Sequence, residues 1–479
     1  MDNGPDRPGA PRGASVLPAR SDISQLLPAP LPMHRLLTVL LLPWIATWFV
    51  GPQALAGQEP GEGSPIQILQ CGSLLVDAAQ APLQEVSLVV RDGVVQSVRE
   101  GFVEQTPDLE GEAQVVDLRD RFVLPGLIDC HVHLTGQSVA VHERVRRALQ
   151  ETEAYAAIDG VVYAERTLLA GFTTVRDVGS PGSTGIALRD RIASGLVRGP
   201  RLLVSGPSIS VTGGHADWTN SFSPALRPEL GPDRMTADGP AEARKAVRAR
   251  IREGADLIKI TATGGVLSMT AAGLEQQFFE DELEAILEAA TRMGRKVAAH
   301  AHGSDGIKAA LRAGVASIEH GTYLDDEAIA LFHETGAYLV PTVHAGKYVE
   351  AQAEIPGFYP PAIRMKARAV GPAIQGALAR AHENGVKIAF GTDCGVGTHG
   401  TNALEFLYMA EAGMTPSECL VAATTNAADL CGIGDRVGTL EAGMSADVIA
   451  VRSNPLEDLA TLSDVPFVMR EGLIFKQED

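Results

Sequence analysis

Two histidines, His131 and His133, stand one residue apart at the end of the apolar run LPGLIDCHVHL. Alternate side chains of a strand point to the same face, so the two imidazoles converge while Val132 faces the other way. Neutral imidazole is the commonest metal-binding side chain. The spacing therefore indicates either two metal ligands or a pair of surface histidines at a strand end, and the rest of the ligand set decides between them.

Further polar side chains stand where later apolar runs end. They are Lys259, His300, His302, His320 and Asp393. Each has an ordinary explanation when taken alone, such as a hydrogen-bonded histidine at a strand end. Taken together, they are nitrogen and oxygen ligands that suit zinc or a similar divalent metal. The sequence therefore predicts a metal site built from several strands.

The elements that must position these residues alternate along residues 123–435. Eight apolar strand candidates are each followed by a helical stretch rich in Ala, Leu, Glu and Arg: FVLPGLIDCHVHL, FTTVRDVG, RLLVSG, DLIKITAT, KVAAHAH, ASIEHGT, AYLVPT and VKIAFGTDCG. This alternation predicts a (β/α)8 TIM barrel, whose chemistry lies at the carboxyl ends of the strands. A doubly wound sheet is the alternative, and the count of eight and the absence of GxGxxG after the first strand disfavour it.

Short strands and turns flank this region at residues 66–122 and 436–476. In the first segment, SLVVRDGVVQSV is typical of a hairpin. Two separated β segments near the ends of a chain can pair with each other. We therefore expect a small composite β-sandwich domain beside the barrel.

Lys259 is unusual because the period of two in LIKIT places Leu257, Lys259 and Thr261 on the inward face. An unpaired ammonium there would be costly. It could pair with Asp256 or Glu319. Alternatively, burial could keep the amine neutral, and carbon dioxide would then convert it to a carbamate able to bridge two metals roughly 3.5–4 Å apart.

The composition of the 479 residues limits the partners of the protein. It has 59 acidic and 40 basic residues, a net charge of -19, and no long basic cluster, which argues against nucleic acid. The five cysteines show no CxxC spacing, which argues against a zinc–cysteine site and against a disulfide framework.

The N-terminal region does not read as part of a packed domain. Residues 1–32 contain seven prolines and no periodic pattern, so we expect a disordered or mispredicted extension. Residues 33–56 resemble a signal peptide, because Arg35 precedes an apolar stretch that ends in a small-residue sequence. We therefore expect a mature chain that begins near Gly57, is exported to the periplasm or the medium, and has no stable membrane span after cleavage. An uncleaved anchor is the alternative, which the short apolar stretch with Pro43 disfavours.

Six stretches together resemble the amidohydrolase superfamily of metal-dependent hydrolases. They are LPGLIDCHVHL, GFTTVRDVG, GADLIKITATGGV, VAAHAHG, SIEHGTYLDD and AFGTDCG. The resemblance covers about residues 66–476 and is strongest to the branch of Xaa-Pro dipeptidases that is often labelled imidazolonepropionase-like. It implies two divalent metal ions, with zinc as the expected element. The implied ligands are His131, His133 and Asp393 for the more buried ion, carboxylated Lys259 as the bridge, and His300 and His320 for the second ion.

The resemblance also implies roles around these ligands. At the fifth strand it favours His300 as the metal ligand and leaves His302 to contact substrate or support the site. Asp393 would take a proton from the attacking water and deliver it to the leaving nitrogen. His215 would help to stabilise the oxyanion, and Tyr323 would contact the substrate carboxylate. A solvated loop histidine and a packed strand-end tyrosine are the respective alternatives.

We therefore expect an exported hydrolase that cleaves an amide next to a free carboxylate, by hydroxide that the metals generate from water. The expected substrates are small molecules, namely Xaa-Pro dipeptides or N-acyl amino acids. One alternative is a cyclic amide hydrolase such as imidazolonepropionase, which export disfavours. Another is a non-catalytic binding protein, which the complete set of six ligand positions disfavours. Relatives in this superfamily often assemble, so a homo-oligomer is a further expectation.

Overall fold

The structure is a computed structural model that describes residues 66–106, 111–220, 222–225, 235–269 and 273–478. The expected extension at residues 1–32 and the signal peptide at residues 33–56 lie outside these described residues. None of the described helices combines the length and the apolar character that crossing a membrane requires.

The described residues form fourteen strands. They are β1 (Ile66–Leu74), β2 (Leu83–Arg91), β3 (Val94–Glu100), β4 (Ala113–Pro125), β5 (Leu127–Val132), β6 (Phe172–Asp177), β7 (Arg201–Val204), β8 (Ile258–Thr261), β9 (Val297–Ala301), β10 (Ser317–His320), β11 (Tyr338–Val340), β12 (Val448–Val451), β13 (Phe467–Arg470) and β14 (Leu473–Gln477).

Twelve α-helices lie in the same described part of the chain. They are α1 (Val141–Gln150), α2 (Glu153–Leu169), α3 (Thr184–Ala193), α4 (Gly239–Glu253), α5 (Glu280–Arg292), α6 (Ser304–Ala313), α7 (Asp326–Thr335), α8 (Val343–Ala353), α9 (Pro361–Glu383), α10 (Leu404–Glu411), α11 (Pro416–Ala422) and α12 (Thr425–Cys431).

The strands from the two ends of the described chain pair in one seven-stranded sheet, in the order β14-β13-β12-β4-β1-β2-β3. The central pair β1 and β4 is parallel, and the other pairs are antiparallel. Leu124 of β4 lies opposite Ile449 of β12, where the two ends meet. The composite pairing is therefore confirmed. The strands form one continuous sheet, however, so the division into a two-sheet sandwich stays a prediction.

Seven of the eight predicted barrel strands form two parallel sheets, β5-β6-β7 and β8-β9-β10-β11. Helices connect most of these strands, so this part of the chain has the mixed α/β content that the sequence predicts. Short helix-stop signals end several of the helices, since Gly254, Gly314 and Gly336 adopt the left-handed conformation after α4, α6 and α7.

The eighth predicted strand, VKIAFGTDCG, is not a regular strand. It makes only isolated parallel bridges to the residues that the structure describes. Ile388 pairs with Leu339 in the middle of β11, and Cys394 pairs with Val132 at the end of β5. Asp393, next to the second bridge, has φ 56, so the backbone leaves the extended region there. The prediction of an eighth regular strand was therefore wrong, although this segment contacts both parallel sheets.

The alternation of side chains along β8 agrees with the period of two in the sequence. Ile258 and Ile260 pack in one apolar cluster with helical residues. Lys259 and Thr261 instead line the cavity at the ends of the parallel strands. The strand therefore separates the core on one side from the candidate chemistry on the other.

Candidate active site

A cavity of about 460 Å³ lies at the carboxyl ends of the parallel strands. Eight of the nine predicted site residues line it: His131, His133, His215, Lys259, His300, His302, His320 and Asp393. The ninth, Tyr323, does not line the cavity, and its side chain is 40% exposed. The structure therefore brings together all six predicted metal ligands and separates the predicted carboxylate contact from them.

The imidazoles of β5 are oriented by the atoms that hold their Nδ1 positions. His131 Nδ1 lies 2.7 Å from Glu319 Oε2, and His133 Nδ1 lies 2.8 Å from the carbonyl oxygen of Gly179. Both oxygens accept hydrogen bonds, so each Nδ1 carries a proton and Nε2 is the ring atom left to bind a cation. This arrangement is the one found for histidines that bind metals through Nε2.

The imidazoles of β9 and β10 form a second group. His320 Nδ1 lies 2.7 Å from Thr342 Oγ1, and His302 Nδ1 lies 2.7 Å from Thr322 Oγ1. The ring centroids of His300 and His320 are 4.6 Å apart, and those of His302 and His320 are 4.8 Å apart. Because His300 and His302 both reach this group, the preference for His300 as the ligand stays a prediction.

Asp393 lies between the histidines of β5. Its Oδ1 is 3.3 Å from His133 Nε2 and 3.6 Å from His131 Nε2. This buried oxygen has no well-formed hydrogen bond to the described residues. Burial alone would raise the pKa of Asp393, but the neighbouring His131 and His133 hold it below its usual range. Burial opposes protonation of His133, but its contact with Asp393 raises the pKa of the imidazole overall. An ionised carboxylate thus faces two Nε2 atoms, and a cation that replaced the proton of His133 would be held by all three groups.

Among the described residues, there are two sets of three in which each residue offers one potential metal-binding atom and these atoms lie no more than 4.8 Å apart. One set is His300, His302 and His320, and the other is His131, His320 and Asp393. Burial lowers the pKa of His131, His300 and His320 well below the usual value, so these imidazoles are neutral near pH 7. Neutral imidazoles and a carboxylate are ligands of zinc-like ions, so the described residues fit the implied metals.

Lys259 is buried at the base of the cavity, and burial lowers the pKa of its amine to about 8. The two predicted acidic partners are engaged elsewhere. Asp256 pairs with Arg189 at 2.8 Å, and Glu319 pairs with Arg176 at 2.8 Å and contacts His131. Of the two readings of Lys259, these contacts favour the neutral amine that carbamate formation requires.

Sequence reasoning missed the role of the buried pair Arg176 and Glu319. The guanidinium also donates to the carbonyl oxygen of Cys130 at 2.5 Å, so the pair joins β5, β6 and β10 beneath the histidines. The signal was the charged residue inside the apolar run FTTVRDVG, because a buried charge in a strand requires a partner.

Asp129 is a second residue whose role was missed. It is fully buried and accepts hydrogen bonds from His131 N at 3.0 Å, Thr392 Oγ1 at 2.6 Å and Asn402 Nδ2 at 2.8 Å. These bonds tie β5 to the segment that carries Asp393. A carboxylate two residues before the first histidine was the available signal.

Three residues of the site have left-handed backbone conformations that disfavour side chains. The φ angles are 73 for His320, 55 for Thr342 and 56 for Asp393. Such conformations cost roughly 1–3 kcal/mol each and persist where the surrounding structure determines them. The strain lies at the strand ends, where it turns the side chains of His320 and Asp393 into the cavity.

His215 lies over the histidine cluster. Its ring stacks on His300 at a centroid distance of 4.3 Å, and its backbone N–H donates to Gln277 Oε1 at 2.9 Å. Burial lowers the pKa of His215 to about 3, so its ring is neutral. Its buried Nδ1 has no hydrogen-bond partner in the described part of the chain. The structure thus brings His215 into the site rather than into solvent.

Comparisons with known proteins agree with this geometry. A crystal structure of a Xaa-Pro dipeptidase with methionine bound in the active site is 42% identical to this chain, with a TM-score of 0.82, over 86% of this chain and 100% of that chain. An ochratoxinase from Aspergillus niger is 32% identical over 86% of this chain and 87% of its own length. An imidazolonepropionase from Mesorhizobium japonicum is 28% identical over 76% of this chain and 85% of its own length.

The amidohydrolase family profile matches residues 122–474, which contain every one of the predicted site residues. The chain therefore belongs to the amidohydrolase family, and it is a hydrolase that acts on carbon–nitrogen amide bonds.

Proposed function

We propose that this chain is an exported binuclear metal-dependent hydrolase that cleaves an amide bond next to a free carboxylate. The convergence of His131, His133, His300, His320, Lys259 and Asp393 on one buried cavity carries this proposal. Neutral imidazoles, a carboxylate and a lysine of lowered pKa are rarely buried together without a cation to bind.

The proposed ligands are those that the resemblance implies, with Lys259 as a bridging carbamate. Two divalent ions, zinc being the expected one, would supply a more acidic water and a polarised amide carbonyl when bound. Asp393 accepts the proton of the attacking water and delivers it to the leaving nitrogen. The ring of His215 stacks on that of His300 in the same cavity. In this proposal His215 donates a hydrogen bond to the developing oxyanion.

The proposed substrates are Xaa-Pro dipeptides or N-acyl amino acids. The Xaa-Pro dipeptidase and the ochratoxinase among the relatives support this class. Val349, Val370 and Ile374 form part of an apolar wall beside the histidines. Such a wall would accommodate an apolar acyl group or side chain.

The proposal includes a closed (β/α)8 barrel and export of the mature chain. The bridges of the segment around Ile388 to both parallel sheets support closure. Export is supported by the sequence of residues 33–56 alone. N-terminal sequencing of protein from the medium or the periplasm tests it, and an intact residue 33 on exported protein, or retention in the cytoplasm, would contradict it.

A mass-spectrometric turnover assay tests the proposed activity. Protein beginning at Gly57 is prepared with zinc and bicarbonate and offered Xaa-Pro dipeptides, other dipeptides, N-acyl amino acids and imidazolonepropionate. We expect cleavage only where a free carboxylate adjoins the broken amide. Opening of the cyclic amide alone would support the imidazolonepropionase reading instead, and inactivity of metal-replete protein across the panel would refute this substrate class.

A further inference from the structure

The active-site cavity adjoins a second cavity of about 1050 Å³. The two have part of their walls in common, including Trp218, Leu267 and Val396. The two cavities therefore adjoin at these residues, which form their junction. We call the smaller cavity, which contains the histidines, the inner cavity and the larger one the outer cavity.

Lys366 lies on helix α9 between residues that line the two cavities. Ile363 lines the outer cavity, whereas Val370 and Ile374 line the inner one. Residues three and four apart share a helix face, so Lys366 lies on the same face between these two groups. Lys366 is not itself part of either lining, and its ammonium lies behind the loop that separates it from the cavities.

Arg144 of α1 lines the outer cavity and reaches the same place. Its guanidinium donates to the carbonyl oxygen of Leu267 at 3.4 Å. Lys366 Nζ donates to the carbonyl oxygens of Gly265 at 2.6 Å and Ser268 at 2.7 Å. Both cations therefore contact one loop, which follows β8 and borders both cavities.

This loop also contacts the candidate catalytic residues. A side chain at Gly265 would lie 2.1 Å from the ring of His215, so the backbone there is packed against the imidazole. Lys366 Nζ, bonded to the carbonyl of Gly265, is consequently close to His215. An anion held at the cations would lie beside the histidine cluster.

Lys366 and Arg144 have no acidic partner among the residues that the structure describes. Across the described ranges, no carboxylate oxygen lies within 4.0 Å of Lys366 or Arg144. Arg146 of α1, in contrast, pairs with Glu143, and Arg368 of α9 pairs with Glu354. Burial lowers the pKa of Lys366. Within the described structure, the half-buried ammonium of Lys366 is hydrogen-bonded only to carbonyl oxygens, so an anion would stabilise it further. The guanidinium of Arg144, which contacts the same loop, provides a second charge-assisted hydrogen-bond donor.

We propose that Lys366 and Arg144 bind the free carboxylate of the substrate. This inference rests on the proposed function and assigns the carboxylate subsite to residues other than Tyr323. It orients the substrate with its carboxylate at the junction and its apolar acyl part in the inner cavity, beside Val349 and Val370. The substrate class is then an amide with an anionic outer end and an apolar inner end.

The test compares each substrate as a free acid and as its C-terminal amide, which lacks the negative charge. Lys366→Met and Arg144→Met remove the proposed contacts. Arg368→Met on α9 and Arg146→Met on α1 remove the same charge from paired, exposed positions and serve as controls. We expect the acid-to-amide ratio of kcat/KM to fall about tenfold or more in each cavity variant, mainly through KM. The controls keep the wild-type ratio, and Lys366→Arg retains most of it.

A purely structural role for the two cations predicts a different result. Loss of the loop conformation would reduce hydrolysis of acid and amide equally and lower the melting temperature. An equal reduction, or an unchanged ratio, would overturn the proposal.

If the wild-type protein cleaves neither the acids nor the amides, the proposed function fails. Calorimetric measurement of the binding of each acid and its amide then tests the carboxylate subsite separately. Preferential binding of acids that is lost in Lys366→Met and Arg144→Met supports the carboxylate subsite. Equal binding of acid and amide, or no binding of either, overturns it.

Discussion

At the scale of single residues, the site depends on the protonation of buried groups. The Nδ1 atoms of His131 and His133 are held by oxygen acceptors, and Asp393 Oδ1 faces their Nε2 atoms. Nε2 is therefore the atom of each ring that faces the cavity. Burial lowers the pKa of His131, whereas the contact with Asp393 raises the pKa of His133 against the effect of burial. The ability of these imidazoles to bind a metal therefore depends on the hydrogen-bond acceptors at Nδ1 as well as on the rings.

Asp393→Asn tests the proton-transfer role. The amide cannot accept the proton of water, so we expect kcat to fall by roughly 10²–10⁴ in the turnover assay. Asp305→Asn, at an exposed position on α6, is the control and keeps the wild-type kcat. A near-normal kcat in Asp393→Asn would show that another group transfers the proton.

Glu405 provides a prediction about stability and pH. It accepts hydrogen bonds from the N–H groups of Val343 and His344 at the start of α8, at 2.9 and 2.6 Å. Burial raises its pKa from 4.5 to about 8. Between these values the folded protein keeps a proton that the unfolded chain has lost, so this group makes stability fall as pH rises from about 4.5 to about 8.

Glu405→Gln removes this titration. We expect urea unfolding at pH 5 and pH 8 to show a smaller loss of stability for Glu405→Gln than for wild type. Glu411→Gln, on the same helix, is the control because its carboxylate is bonded at the surface to Gln375. Equal pH dependence in wild type and Glu405→Gln would contradict the buried, protonated state.

The sequence predicted which residues lie at the site. It did not reveal the hydrogen-bond and ion-pair partners that hold their side chains in position. HxH spacing and strand-end positions predicted which side chains line the cavity, because local periodicity decides the direction of those side chains. Arg176 and Glu319 are 143 residues apart, and no local pattern reveals that they pair. Tyr323 follows His320 by three residues, yet the backbone turns at Gly321, φ 60, and its ring is largely outside the cavity.

At the scale of elements, the close contact between β5 and the segment around Asp393 positions the ligands. Asp393 N donates to the carbonyl oxygen of His131 at 2.7 Å. Asp129 accepts from both sides of this contact. The irregular segment was predicted as a strand because its apolar pattern is that of a strand, whereas its left-handed residue depends on tertiary contacts.

Gly391→Ala tests this contact. A Cβ at this position would lie 2.3 Å from Val340 Cγ1 and 3.0 Å from His131 Cβ, so Val340 of β11 must shift or the segment must move away from both β11 and β5. We expect unfolding free energy to fall by about 1–3 kcal/mol and zinc affinity to fall with it. Chemical unfolding and metal titration measure the two effects.

Gly376→Ala in α9 is the matched control, because a Cβ there meets open space. Alanine favours a helix interior by about 1 kcal/mol over glycine, so this variant is neutral or slightly more stable. Wild-type zinc affinity and stability in Gly391→Ala would show that the contact does not position His131 and Asp393.

At the scale of the whole molecule, the described parts divide into a composite sheet and the parallel sheets with their helices. The sequence predicted both, because hairpin signals cluster at residues 66–122 and 436–476 while strand–helix alternation fills the interval. It also predicted that the two end segments pair, but not the strand order or which strands meet between β1–β4 and β12–β14. That arrangement depends on pairing between β4 and β12, whose partners are hundreds of residues apart.

Metal removal and readdition test the central claim most directly. Protein beginning at Gly57 is treated with a chelator and dialysed free of bicarbonate, and zinc is then titrated with and without bicarbonate while metal content and turnover are measured. We predict loss of activity on chelation and full recovery at two zinc ions per chain only when bicarbonate is present, because the neutral Lys259 amine must first be carboxylated. Full activity of metal-free protein, or recovery with a single ion, would contradict the binuclear centre.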